Sequence, residues 1–218
     1  MQKIIMVNRF KKTKHKVNNN GYNYVDLGLP SGTLWATMNV GASKPSDYGL
    51  YFQFGDANGY TKEQIGKSEG QKKFRWADYK FNIDGDASKF SKYTTSEEAL
   101  ELEDDAVHIN MEGDWHIPTP EQIQELIDNT TSEWTELDYV HGRLFTSKKD
   151  ASKSIFIPAE GYAWDGLVHV RGGYGNVWSS VLNADNVNYG QCLYFSSRYI
   201  NLHGDYRDYG FSVRGVIG

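Results

Sequence analysis

Two helical signals set between two tracts of short strand-like runs restrict this chain to an α+β fold. The first is Thr95-Ser96-Glu97-Glu98, which has the form of a capping box, followed by Ala99, Leu102, Ala106 and Val107 on one helical face. The second begins at Thr119, with Pro120 at the first helical position, Gln122 at the box position, and Ile123, Leu126 and Ile127 as its apolar stripe. Ahead of them, residues 24–32 read as a strand and turn, 33–41 as a second strand and 48–54 as a third, aromatic one. Behind them, strand-like runs recur at 154–158, 167–170, 176–180, 191–195 and 210–216. The stretch 58–92 holds no sustained period and reads as a long irregular excursion. The expected architecture is one of mixed antiparallel sheets with two helices and a strand-rich C-terminal half, the first and last strands meeting in one sheet. No internal repeat is visible.

At 218 residues a single large domain is expected, spanning 22–218 and preceded by a basic flexible leader at 1–21. The leader carries Lys3, Arg9, Lys11, Lys12, Lys14 and Lys16 with no acid, leaving 17 basic against 28 acidic side chains beyond it, a balance of −11. So acidic a body disfavours nucleic acid as a partner. Cys192 is the only cysteine, which excludes an intrachain disulfide and a Cys-rich zinc site. Ile4-Ile5-Met6-Val7 is cut short by Asn8 and Arg9, too brief for a signal peptide, and no run approaches the roughly 18 apolar residues of a membrane span.

His108, Glu112, Asp114 and His116 lie close in sequence, but Gly113 breaks the helix between them and neither HExxH nor an EF-hand loop is present. They are expected to mark a helix end and a strand start, with Asp104 or Asp105 holding neighbouring backbone. GxSxG, a Walker loop and a strand-borne GxGxxG are missing too. Arg171-Gly172-Gly173-Tyr174-Gly175 is glycine-rich but leads into a strand, so it offers no helix terminus to a phosphate. No cofactor, metal or catalytic residue is expected.

The C-terminal composition is more telling. Lys153 is the last of sixteen lysines and Glu160 the last of twelve glutamates, so the final 58 residues contain neither. Over that span Asn, Asp, Tyr, Ser, Gly and Arg abound. Such a mixture is that of a paratope: Tyr and Arg give contact area, while Ser, Gly and Asn give adaptable hydrogen bonds. A β-rich tail with Asn/Gly turns is the plainer alternative.

Several runs occur in a specific order: Tyr24-Val25-Asp26-Leu27-Gly28-Leu29-Pro30-Ser31-Gly32-Thr33-Leu34-Trp35-Ala36, Asn39-Val40-Gly41-Ala42, Tyr48-Gly49-Leu50-Tyr51-Phe52, Asp104-Asp105-Ala106, Trp115-His116-Ile117-Pro118-Thr119, Ser154-Ile155-Phe156-Ile157-Pro158-Ala159-Glu160-Gly161-Tyr162, Trp178-Ser179-Ser180 and Gly210-Phe211-Ser212-Val213-Arg214. Over about residues 22–216 this order resembles the Fibrobacter succinogenes major paralogous domain group, which shares the C-type-lectin-like fold of formylglycine-generating-enzyme relatives. Within that group the chain is similar to the variable proteins of diversity-generating retroelements of phages and gut bacteria. In such proteins adenine-directed mutagenesis rewrites a C-terminal segment while the scaffold stays fixed. An AAY asparagine codon mutated at its adenines becomes NNY, which encodes Asn, Asp, Tyr, Ser, His, Arg, Gly, Leu and Cys but never Lys, Glu, Gln, Met or Trp.

The resemblance implies a fixed scaffold of Trp178, Ser179, Ser180, Leu193, Phe195, Gly210, Phe211, Ser212, Val213 and Arg214, with Gln191 constant because NNY cannot encode it. It implies a hypervariable ligand-binding set: Tyr174, Asn176, Leu182, Asn183, Asp185, Asn186, Asn188, Tyr189, Cys192, Tyr194, Ser197, Tyr199, Asn201, His203, Asp205, Tyr206, Asp208 and Tyr209. The enzyme with this fold holds copper with two cysteines, which one cysteine cannot do, and the Glu-Pro-Asn, Gln-Pro-Asp and Trp-Asn-Asp runs of calcium-dependent lectins do not occur. The expectation is a non-enzymatic receptor-recognition protein whose partner is a protein or carbohydrate on a cell or host surface. Synthesis in the cytoplasm with assembly into a phage particle fits, as does a leader absent from this sequence, and a homo-oligomer is compatible with either. The alternative is a fixed surface or secreted domain with a carbohydrate-binding or structural role.

Overall fold

A computed structural model describes residues 21–218 together with the backbone of Lys16–Val17. The basic leader expected at 1–21 otherwise lies outside the described residues. Strands β1 (Lys16–Val17), β2 (Asn23–Asp26) and β3 (Leu34–Asn39) lead the chain, and the last strand, β14 (Arg214–Ile217), returns to pair with β3, giving the order β1-β2-β3-β14. The first and last strands therefore share one antiparallel sheet, as the sequence suggests. The β2–β3 turn closes with Gly32 N–H donating to Leu29 C=O at 3.0 Å, and Gly32 takes φ +82°, a conformation that glycine adopts without strain. Val25, Trp35 and Val216 alternate onto one face and pack with Ile123 and Leu126 of a helix.

That helix, α2 (Pro120–Asn129), is the one its local signals describe. Thr119 caps it, the Thr119 and Gln122 side chains make the reciprocal box, and Ile123 and Leu126 are buried. The other helix is shorter and later than expected. Rather than starting at Thr95, α1 spans Ala106–Met111 with Asp105 as its cap, accepting from Val107 N–H and His108 N–H. Glu98 does accept from Thr95 N–H at 3.2 Å, but only a turn forms. Ala99 then bridges Val181 antiparallel, Leu100 N–H donates to Ser180 C=O and Leu182 N–H donates to Glu98 C=O. Pairing with a distant strand overrides the local helical signal, and Leu102 is left exposed.

The third strand expected at 48–54 reduces to isolated bridges, Tyr51 to Tyr60 and Phe52 to Phe211. The excursion at 58–92 is irregular, with short helical turns and a small hairpin of β4 (Asn82–Ile83) and β5 (Asp86–Phe90). Asp78 fixes one of those turns by accepting from the backbone N–H groups of Lys73, Phe74 and Arg75.

Beyond α2, β6 (Thr130–Leu137), β7 (Val140–Ser147) and β8 (Ser154–Pro158) form an antiparallel sheet. The β6–β7 turn is Asp138-Tyr139, both at positive φ, as a tight primed hairpin turn demands. A smaller hairpin, β9 (Tyr162–Trp164) and β10 (Leu167–His169), turns at Asp165-Gly166. Next come β11 (Tyr174–Leu182), β12 (Tyr189–Ser196) and β13 (Ile200–Tyr206), an antiparallel sheet in that order. The fold is thus mixed α+β, mostly antiparallel, with two helices and a strand-rich C-terminal half.

Arg214 ties the layers together. Its buried guanidinium donates to Asn39 Oδ1, Ala36 C=O and Phe156 C=O, joining β14, β3 and β8. Among the described residues, no helix is long and apolar enough to cross a membrane.

Candidate functional site

The β11–β12–β13 sheet sorts its side chains by strand periodicity. Val177, Leu193 and Phe195 point into the core against α2, where Ile200 and Leu202 join them. The opposite face carries registered rows: Asn176 opposite Tyr194 and Tyr194 opposite Asn201, then Trp178 opposite Cys192 and Cys192 opposite His203. Tyr174 faces Ser196 at the open end, and Ser196 Oγ accepts from Arg198 N–H and Tyr199 N–H to hold the β12–β13 turn.

This face lines an open cavity of about 470 Å³, walled by Tyr162, Tyr174, Asn176, Tyr194, Tyr199, Asn201, His203, Asp205 and Tyr209. Every one of these except Tyr162 belongs to the ligand-binding set read from sequence. The rings form a near-continuous run: Tyr162 stacks on Tyr209 at 5.3 Å and on Tyr174 at 6.3 Å, Tyr174 meets Tyr194 at 5.6 Å, and Tyr194 meets His203 at 5.8 Å. Burial raises the Tyr174 phenol, reinforced by Tyr162 and Tyr194, and pushes Tyr209 up to about 12, so both stay neutral donors. Asp205 is raised by burial, against Tyr206 N–H and His203, which favour its charged form. The wall offers amphipathic rings, amide groups and one carboxylate, with Tyr199 65% exposed at its rim.

Four members of the set are buried. Leu182 and Cys192 are fully buried in the core and cannot meet a ligand. Cys192 shares a face with Tyr194 and His203 by register, but Phe54 and Trp178 cover that end of the sheet, so closely that a Cβ on Gly190 would lie 2.5 Å from the Phe54 ring. Leu182 lies beyond a register shift in β11 and packs in the same core cluster as Trp178. Asn176 is buried as well, its Nδ2 donating to Gly161 C=O and its N–H to Glu160 Oε1 at 2.5 Å. Asp208 is buried beneath the surface.

The remainder divides between turns and the far edge. Asn183 Oδ1 accepts from Asp185 N–H and Asn186 N–H, and Asn186 Oδ1 from Asn188 N–H, so these amides shape the β11–β12 loop. Ser197 is exposed in the β12–β13 turn. Tyr189 and Tyr206 meet edge to face at 4.8 Å.

A neighbouring cleft of about 590 Å³ shares Tyr209 with the first cavity and brings Asn188, Tyr206 and Asp208 against Arg75, Trp76, Trp164 and Asp165. None of these last four, nor Tyr162, belongs to the ligand-binding set expected from the sequence. The Asp165-Gly166 hairpin signal was available for Tyr162 and Trp164; Arg75 and Trp76 come from the irregular excursion, which carries no period to read.

The scaffold set is buried apart from half-buried Ser180. Trp178 Nε1 donates to Phe52 C=O at 2.8 Å, and its ring lies 4.2 Å from that of Phe211. Asp105 holds backbone as anticipated, accepting from Ile117 N–H besides capping α1. His108 and His116 share hydrogen bonds with the Trp115 and Ile117 carbonyls. Among the described residues, Glu101, Glu103 and Asp104 alone cluster as metal ligands would, and all three pair with Lys92. No family model, curated protein or solved structure matches the chain.

Proposed function

We propose that this is a non-catalytic ligand-recognition protein with a C-type-lectin-like fold, whose C-terminal segment is a diversified binding surface on a fixed scaffold. The observation that carries the reading is the convergence of Tyr174, Tyr194, Tyr199, Asn201, His203, Asp205 and Tyr209 on one open cavity. Alternate positions on the same strands, Val177, Leu193 and Phe195, are buried. One strand period thus separates residues free to change from residues that hold the sheet. Recognition proceeds by ring contact and adaptable hydrogen bonding on a rigid platform. The most perturbed carboxyl near the cavity, Glu160, is fully buried with Oε1 engaged by Asn176 N–H, which suits a structural role.

A library randomised with NNY codons at the exposed cavity positions tests this reading. Most members are expected to fold with unchanged melting temperatures, and the coding DNA should be accompanied by a template repeat differing only at adenines. Loss of folding in most of the library, or a flanking region without such a repeat, refutes diversification. Binding of one carbohydrate abolished by most substitutions would instead favour a fixed carbohydrate-binding domain.

A further inference from the structure

We infer that the cleft between Trp76, Trp164 and Tyr206 is a subsite for a primary alkylammonium group, such as a lysine side chain of a protein ligand. Trp164 is 41% exposed and Tyr206 39% exposed, large areas for aromatic side chains on a folded surface. Trp76 meets Tyr206 at 6.2 Å, and Trp164 meets Tyr209 at 5.9 Å. Rings so placed line one cleft, and the negative face of an aromatic ring attracts a cation.

The second observation concerns Asp208, which lines the same cleft yet is only 2% exposed. Its Oδ1 is a buried acceptor without a hydrogen-bond partner among the described residues. Leaving such an acceptor unpaired is unfavourable by about 1–3 kcal/mol, more when it is charged. The cation lining the cleft, Arg75, is already engaged by Asp165, which also holds Lys67. Asp208 is therefore the acid without a counter-ion, and Asp78 and Asp205 add negative potential around it. A primary ammonium answers both features, because it is a cation for the rings and a triple N–H donor for the carboxylate. A quaternary ammonium satisfies only the rings and a sugar hydroxyl only the acceptor. The body's balance of −11 draws cationic ligands towards it.

This inference rests on the recognition reading, extending it to the adjoining cleft. Its test is titration of the intact protein with Nα-acetyl-lysine methylamide, followed by calorimetry and tryptophan fluorescence, alongside the Nε-acetyl and Nε-trimethyl forms. The lysine probe is expected to bind saturably, with the Nε-acetyl form weaker by about tenfold or more, a loss of ~1.4 kcal/mol. The Nε-trimethyl form should be weaker by about threefold or more, since it retains the charge but cannot donate. Asp208→Asn should lose the preference for charge, and Trp164→Ala, on an exposed hairpin, should weaken the probe without altering the melting temperature. Tyr194→Ala, outside the cleft, should leave probe affinity unchanged, so failure here is distinct from failure of the tyrosine face. Equal binding of the Nε-acetyl form, equal or tighter binding of the trimethyl form, or no saturable lysine binding would each overturn the assignment.

Discussion

Arg214 and Asn39 stand directly opposite each other in the β14–β3 register, and Arg214 Nε donates to Asn39 Oδ1 at 2.9 Å with both side chains buried. The remaining guanidinium donors reach Ala36 C=O at 3.1 Å and Phe156 C=O at 3.1 Å, so a single β14 side chain satisfies three acceptors in β3 and β8. Lysine cannot reproduce that planar fork. Arg214→Ala, which strands three buried acceptors, is expected to destabilise the fold by about 3–5 kcal/mol, and Arg214→Lys by at least ~2 kcal/mol. Urea denaturation checks this; a loss for Arg214→Ala within the ~0.5 kcal/mol of a surface change would remove Arg214 from its role.

Substitutions along β12 and β13 should alternate in effect. Phe195→Ala, in the core, is expected to cost about 3–5 kcal/mol, whereas Tyr194→Ala and Asn201→Ala should stay within ~0.5 kcal/mol while abolishing ligand capture. Equal losses at Tyr194 and Phe195 would show that the cavity face is part of the core.

How much of this was legible in the sequence depended on whether a signal was local. The α2 helix was readable because Thr119, Pro120 and Gln122 carry its whole capping geometry within one turn. Thr95 carries a similar signal but fails as a helix start, because Ala99 is claimed by Val181, a partner that sequence spacing does not reveal. The β6–β7 hairpin escaped notice because Thr130–Leu137 is largely polar and its turn, Asp138-Tyr139, lacks glycine. In the C-terminal sheet, the family resemblance pointed to the exposed C-terminal residues of the cavity. It did not separate Leu182 and Cys192 from them, since their burial depends on Phe54, from a distant part of the chain, packing with Trp178. Trp76 and Trp164 were invisible for the same reason: what brings them to one cleft is the tertiary fold.

Cys192 supplies a chemical test of that burial. The surrounding core raises its thiol well above the usual range, so little reactive thiolate forms. The native protein should not react with an aromatic disulfide reagent at pH 8, while one thiol per chain should titrate in denaturant. A library randomised at Cys192 and Leu182 should likewise be depleted of Asp and Asn among folded members, because an unpaired polar group there is unfavourable by about 1–3 kcal/mol. Rapid native labelling, or free recovery of Asp at position 192, would contradict the packing.

Glu160 gives stability a pH dependence whose sign is fixed by its surroundings. Burial lifts its carboxyl from 4.5 to about 8, against the opposing pull of Asn176 N–H, Ser212 and the Arg214 charge. At pH below 4.5 both folded and unfolded chains hold the proton, so its contribution is fully present. Between 4.5 and about 8 the folded chain keeps a proton that the unfolded chain has lost, and stability falls as pH rises. Above that window the contribution is flat. Asp208, lifted by burial to about 7, acts in the same direction, whereas exposed Asp150, lowered by its bonds to Ser152, acts weakly in the opposite one. Subtracting the urea stability of Glu160→Gln from that of the wild type isolates the Glu160 term. The difference should decline by about 1.4 kcal/mol per pH unit across the middle of the window. Parallel profiles for the two proteins between pH 5 and pH 8 would mean that Glu160 is ionised in the fold, and that its neighbours neutralise it more effectively than burial disfavours its charge.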